Sequence, residues 1–315
     1  MSANNPRPTS DFVFRWLFGT EGNEDLLIAL LNAIIMPDVP ITAVVIKNPF
    51  NLADYDGSKE TILDIKAMDQ NGVWYDVEMQ VYPHIVYGKR ALFYGAKVYV
   101  DQLERGSDYS KLNTTICIHI LGFNYFKDDD RVFRRVVLKD DETNEVYQDF
   151  RHLQFHFMEL PKFHKNWTQL STGRDRWAAF FKDGGELQPG NLPATLQSEP
   201  AIVKAVAELE RIGSDPRQRE IYEAQEKARM IEATQILYAE QQGEQRGRQE
   251  GRQEGRQEGR QEGEREILIL LGAQRFGEPD ETVQSTLNDI DSPERLKWIA
   301  SRLLAVESWQ ELLAQ

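Results

Sequence analysis

The sequence holds one cysteine, Cys117, among 315 residues. No internal disulfide can form, and no second thiol exists to build a cysteine zinc site. Cys117 stands in an apolar alternating run and reads as a small buried core residue. No apolar stretch approaches the roughly 20 residues that a membrane helix requires. Met1 to Ser10 is polar, carries two prolines and lacks the apolar segment of a secretory signal. These absences lead us to expect a reducing, cytoplasmic setting. Positive charge is short as well: 37 Lys and Arg stand against 51 Asp and Glu, a net charge of −14. That excludes a non-specific nucleic-acid coat, which needs a basic surface. A local basic groove remains compatible with it, as do carboxylates offset by a bound cation.

What is present suffices for a core: 41% of residues are hydrophobic and 10% aromatic. The length fits two domains, or one with appendages. We read residues 1–10 as a tail and 11–165 as a domain of alternating strand-like and helix-like patterns. Residues 166–240 form a polar helical extension broken at Leu187-Gln188-Pro189-Gly190. Residues 241–266 hold a low-complexity repeat, and 267–315 form a small helical domain.

In the second zone a first helix is expected from Ser10 or Asp11 to Gly19, and a second near Asp25 to Ile35. Strands follow over Ile41–Ile46, Thr61–Met68 and Val73–Val81. A long helix then starts near Pro83 and stops near Gly106, with Ile85, Gly88, Leu92, Ala96, Tyr99 and Leu103 as its core face. Arg90, Tyr94, Lys97 and Asp101 share another face. Further strands are read at Thr114–Phe123, Arg131–Leu138 and Leu153–Met158.

The chemistry lies in the two central strands. Asp69-Gln70-Asn71-Gly72 is a turn signal. A three-residue loop ending on Gly72 suits a type I turn with a bulge. That register sets Asp64 opposite Glu78 on one face, with Cβ atoms about 5 Å apart. Facing carboxylates repel each other, and a divalent cation between them removes the penalty. Such a site suits phosphodiester hydrolysis. Gln80 follows Glu78 by two residues and Lys66 follows Asp64 by two, so both share that face. Gln80 orients water but takes up no proton, and Lys66 supplies positive charge. The plainer reading is a solvated strand face with Lys66 paired to Asp76 or Glu78.

At these residues the chain resembles the recombination-promoting nucleases, also described as PD-(D/E)XK nuclease family transposases. The resemblance is carried by Asp11-Phe-Val-Phe-Arg-Trp-Leu-Phe-Gly19 and Leu63-Asp64-Ile65-Lys66-Ala67. It continues through Asp69 and Gly72, Val77-Glu78-Met79-Gln80, and Arg90, Tyr94, Gln102, Gly106 and Tyr109. It implies an α/β (α+β) fold: a restriction-endonuclease-like core, a mixed sheet flanked by helices, followed by a helical C-terminal region. It also implies a Mg²⁺-dependent DNA endonuclease (Mn²⁺ substituting), with Asp64 and Glu78 as metal ligands. Gln80 stands where the wider superfamily has Lys, and Leu63 where it has Pro. Arg90 and Tyr94 would contact phosphate or support the site. The alternative is a catalytically weak DNA-binding or self-associating protein on a nuclease fold.

Glu21, Glu24 and Asp25 are more simply helix N-terminal acids than a third ligand. His152 and His156, four apart, fall in a strand pattern and make poor zinc ligands. From Arg248 to Gly263 the unit Arg-Gln-Glu-Gly recurs. On a helix it would put like charges at every i,i+4 and no opposite charges at i,i+3 or i,i+4. It is therefore either a flexible linker or a helix stabilised by association. Beyond it, an apolar stripe from Glu266 to Phe276 and a helix opening at Ser292 resemble the small helical domain often appended to this family. In that second helix Leu296, Trp298, Ile299, Leu303 and Leu304 are the apolar positions. A homo-oligomer through this helical region is expected.

Overall fold

The structure, a computed structural model, describes residues 5–50, 64–290 and 292–314. Thr61, Ile62 and Leu63, expected to open the second strand, lie outside the described residues. The chain divides into two compact units, residues 1–233 and 234–315.

The first unit opens with α1 (Asp11–Gly19) and α2 (Glu24–Ile35), then β1 (Val44–Ile46), β2 (Asp64–Asp69) and β3 (Trp74–Gln80). α3 (Tyr87–Val100) crosses over to β4 (Thr115–Leu121), and β5 (Phe133–Val137) and β6 (Leu153–Glu159) complete the sheet. The sheet order is β1-β2-β3-β4-β6-β5. β3 pairs in parallel with β4 and β4 with β6, and the remaining pairings are antiparallel. The result is a mixed α/β sheet flanked by helices, as the resemblance implied.

One face of the sheet is packed by α1, α2, α4 (Gly173–Asp183) and, past the short α5 (Ala194–Gln197), α6 (Pro200–Ser214). Phe12, Val13, Phe14, Leu17 and Phe18 make α1 mostly apolar, and all five are buried. Phe18 meets Trp177 edge-on at 5.5 Å, and Phe14 lies 6.0 Å from Phe181. Helices from beyond residue 166 therefore build the same core as the sheet. Ser10 stands at the N-cap of α1, but its side chain makes no capping hydrogen bond. Gln225 instead accepts from the Phe12 N–H at 3.0 Å, satisfying one of the helix's orphan donors.

The other face is covered by α3, and here the sequence reading needs correction. The helix begins at Tyr87, not near Pro83, and ends at Val100 with Asp101 as cap; Gly106 (φ 88°) lies beyond it. Its buried stripe is Tyr87, Ala91, Gly95 and Val98, while Ile85 and Leu92, expected in the core, are exposed. The reason is close approach. A Cβ at Gly95 would stand 2.7 Å from Cys117 Sγ and 2.8 Å from Phe155. Small residues let the helix sit down on the sheet, and the larger apolar ones are left outside.

α7 (Pro216–Phe276) is one continuous helix running through the repeat, so the flexible-linker reading is replaced by the helical one. Its residues to Ala233 belong to the first unit and the rest to the second. In the second unit Leu268 of α7 packs with α8 (Glu281–Asn288), α9 (Pro293–Arg302) and α10 (Trp309–Leu313) around Leu287, Ile299 and Leu312. Of the apolar positions named in the helix opening at Ser292, Trp298 and Leu304 are exposed. Trp298 lies between the Arg295 and Arg302 guanidiniums, at 4.9 and 4.4 Å. Among the described residues no helix is long and apolar enough to cross a membrane.

Candidate active site

The β2–β3 hairpin turns where the sequence places it. Gly72 adopts φ 78°, its N–H donates to Asp69 O at 3.1 Å, and the Asp69 N–H donates to Val73 O at 3.0 Å. Asp69 pins the loop further by accepting from Asn71 N–H (2.8 Å), Val73 N–H (3.0 Å) and the Tyr75 hydroxyl (2.9 Å). This turn fixes the register, and Asp64 pairs directly with Glu78 and Lys66 with Asp76. Asp64 is placed by its backbone register alone. Side-chain period two then puts Asp64, Lys66, Asp76, Glu78 and Gln80 on the α3 face.

The parallel neighbour β4 adds what the sequence reading missed. Glu78 pairs with His119, and His119 in turn with Phe157 on β6. One row thus crosses four strands: Asp64, Glu78, His119, Phe157. His119 Nδ1 lies 3.3 Å from Glu78 Oε2; the imidazole is 1% exposed and the carboxylate 16%. The approach is close but not aligned as a full hydrogen bond, and both ring nitrogens are buried without a hydrogen-bond partner. The only local sign of His119 was a lone polar ring in an apolar strand.

Burial pushes the Glu78 carboxyl up. His119, then the Arg90 and Lys66 cations, more than offset this, so its pKa falls below the ordinary carboxylate value. Glu78 is therefore ionised at neutral pH. Gln80 donates from Nε2 to Tyr82 O at 3.3 Å. Arg90 is exposed on α3 and lies 5.9 Å from the Tyr94 ring. Tyr94 is brought against Arg90 and Phe93 (5.5 Å). Asp76 is buried beside Glu78 on this face, a further carboxylate opposite Lys66.

The acids of the second helix serve locally: Glu24 accepts from Gly22 N–H at 2.9 Å and Asp25 pairs with Lys204 at 2.6 Å. His156 sits on β6, buried and opposite Ile118, on the apolar side of the sheet. Among the described residues no three metal-ligating side chains gather in one place. Asp64 and Glu78 are paired in register across β2 and β3, and carboxylate oxygens are the donors that a hard divalent ion takes.

No curated protein and no solved structure shows a significant match to the chain. One family model does match, over residues 8–239, which takes in the whole sheet, α1 to α6 and the first part of α7. With that coverage, and with the mixed sheet and its polar hairpin in place, the chain belongs to the PD-(D/E)XK nuclease family transposases.

Proposed function

We propose that this protein is a Mg²⁺-dependent DNA endonuclease, with Mn²⁺ able to substitute, in which Asp64 and Glu78 hold the metal. The observation that carries the reading is the direct register of Asp64 with Glu78 on one sheet face. Two carboxylates so placed repel each other unless a cation lies between them. Bound there, the ion supplies neutralising charge, polarises a phosphate and makes water more acidic. Glu78 needs no deprotonation to serve as a ligand, because its neighbours keep it ionised. Lys66 adds positive charge on the same face, where a phosphate would sit. Gln80 orients the attacking water by hydrogen bonding and takes no proton from it. Arg90 and Tyr94, at the helix flanking the row, contact the DNA backbone.

The test is cleavage of supercoiled plasmid with Mg²⁺ or Mn²⁺. Wild type nicks or linearises the plasmid, and Asp64→Ala and Glu78→Ala lower the rate about 10³-fold, the loss of several kcal/mol of charge stabilisation. Equal cleavage by either variant would overturn the assignment. A folded wild type that binds DNA without cutting it would favour the catalytically weak binding protein instead.

We also infer that the chain self-associates through its C-terminal helical region. Within the repeat, Arg and Glu stand two residues apart, on opposite sides of the helix. The ion pairs found among its described residues lie at its two ends, Arg248 with Glu244 (2.6 Å) and Arg260 with Glu264 (3.0 Å), where the period breaks. A staggered second helix offers the interior Arg row a Glu row, and glycines with open space around them admit its approach. Sedimentation of the full chain should show an oligomer at low salt that dissociates at high salt; a monomer under both conditions would refute it.

A further inference from the structure

Packing alone does not explain His119. It is 1% exposed, yet neither ring nitrogen has a hydrogen-bond partner. Buried polar groups left in this state cost about 1–3 kcal/mol each, so a retained one calls for a purpose. The ring is held on two sides. Phe155 and Phe157 stack on it at 6.1 and 5.1 Å, nearly parallel, and Tyr87 of α3 meets it edge-on at 5.9 Å. Those contacts fix its plane, and they point Nδ1 at Glu78 Oε2, 3.3 Å away. An ionised carboxylate only accepts, so the Nδ1–H tautomer is the one that can donate to it.

Resting on the metal-site reading above, we propose that His119 is a positioning residue that anchors Oε2 of Glu78 and so turns the other carboxylate oxygen toward the metal. The arrangement follows a general rule: the groups behind a metal ligand fix its orientation and raise its affinity. The parallel register matters here. Glu78 and His119 are directly paired across β3 and β4, so the two side chains rise from the sheet together and no loop movement separates them. The aromatic clamp keeps the imidazole from turning away, so the carboxylate alone adjusts.

The test separates the ring from its N–H. His119→Phe keeps the aromatic stack and removes the donor, and His119→Leu removes the donor together with the ring, without added bulk. His119→Asn loses the ring but puts an amide N–H close to where Nδ1 stood. Mn²⁺ binding to the full chain is measured by titration calorimetry without DNA, alongside thermal unfolding of each variant. Wild type binds Mn²⁺, His119→Phe and His119→Leu bind it about 10- to 100-fold more weakly, and His119→Asn recovers most of the loss. In plasmid cleavage at saturating metal, kcat follows the same order while KM for DNA does not move.

Wild-type affinity in both His119→Phe and His119→Leu would overturn the proposal. So would a pattern in which His119→Asn is the weak variant and His119→Phe the normal one, which marks a packing role. A folded wild type that binds no Mn²⁺ would refute the metal site itself, and His119's role with it. Loss of binding in Glu78→Ala together with unchanged binding in the donor-less variants would remove only His119.

Discussion

The two faces of the sheet are built on opposite principles. Toward α1, α2, α4 and α6 the strands present Ile65, Val77, Met79, Ile116, Ile118, Ile120 and Met158. Toward α3 the strands present Lys66, Asp76, Glu78, Gln80 and His119, beside a smaller apolar cluster that includes Leu121, Phe155 and Phe157. Apolar burial on the first side stabilises the fold at roughly 25 cal/mol per Å². Charge on the second side is held at a cost and is tolerated because the first side is so well packed. The comparison teaches that this chain separates what keeps it folded from its candidate site by one residue of strand period.

Four measurements press on that separation. The largest effect is on the polar face: Glu78→Ala abolishes cleavage to about one part in 10³ while its unfolding midpoint falls only slightly, through the lost attraction of the carboxylate to His119, Arg90 and Lys66. A midpoint that collapses together with activity would break the comparison. On the apolar face Ile118→Ala, directly paired with Val77 and fully buried, costs about 2–5 kcal/mol in denaturant unfolding. It leaves the rate of the remaining folded protein within a few-fold. A rate loss as large as that of Glu78→Ala would mean the faces are coupled.

His156 is the exception on the apolar side, and it sharpens the contrast. Burial, then Arg135 and Arg174, push its pKa from 6.5 down to about 4. The unfolded chain takes up this proton first as pH falls. Stability is therefore fully present above pH 6.5 and drains toward pH 4, by up to about 3 kcal/mol. Chemical denaturation of wild type and His156→Gln across that range should show a shallower fall in the variant; parallel curves would remove the assignment. The smallest effect is Tyr75→Phe, which deletes the hydroxyl donor to Asp69 on the hairpin. About 1 kcal/mol is expected, because Asp69 keeps its two backbone donors, with cleavage unchanged.

Much of the candidate site was legible because it is local. Gly72 at the left-handed position fixes the loop length, and the loop length alone sets Asp64 against Glu78. His119 was not legible, because its pairing with Glu78 depends on a parallel register set after a whole helix intervenes. The orientation of α3 was misread for a related reason. Hydropathy favours Ile85 and Leu92 for the core, whereas the packing distance favours Ala91 and Gly95. The helices past residue 166 gave a polar impression in sequence, yet Trp177, Phe180 and Phe181 fill the core beside α1. Periodicity shows that a helix has an apolar stripe, and it does not show which sheet receives it. The repeat was undecided in sequence because its glycines and like charges argue against a lone helix. α7 nonetheless runs through it unbroken, continuous at both ends with better helix-forming sequence.

The close seat of α3 on the sheet also makes the chain its own reporter. The sole thiol, Cys117, lies under Gly95, and burial pushes its pKa far up, so it is inert while the helix is down. A thiol reagent reaches it only when α3 lifts. The rate of labelling therefore counts openings of the roof over the polar row, without a fluorophore or an engineered cysteine. Slower labelling in the presence of Mn²⁺ or DNA would time how occupancy of that row shuts the molecule.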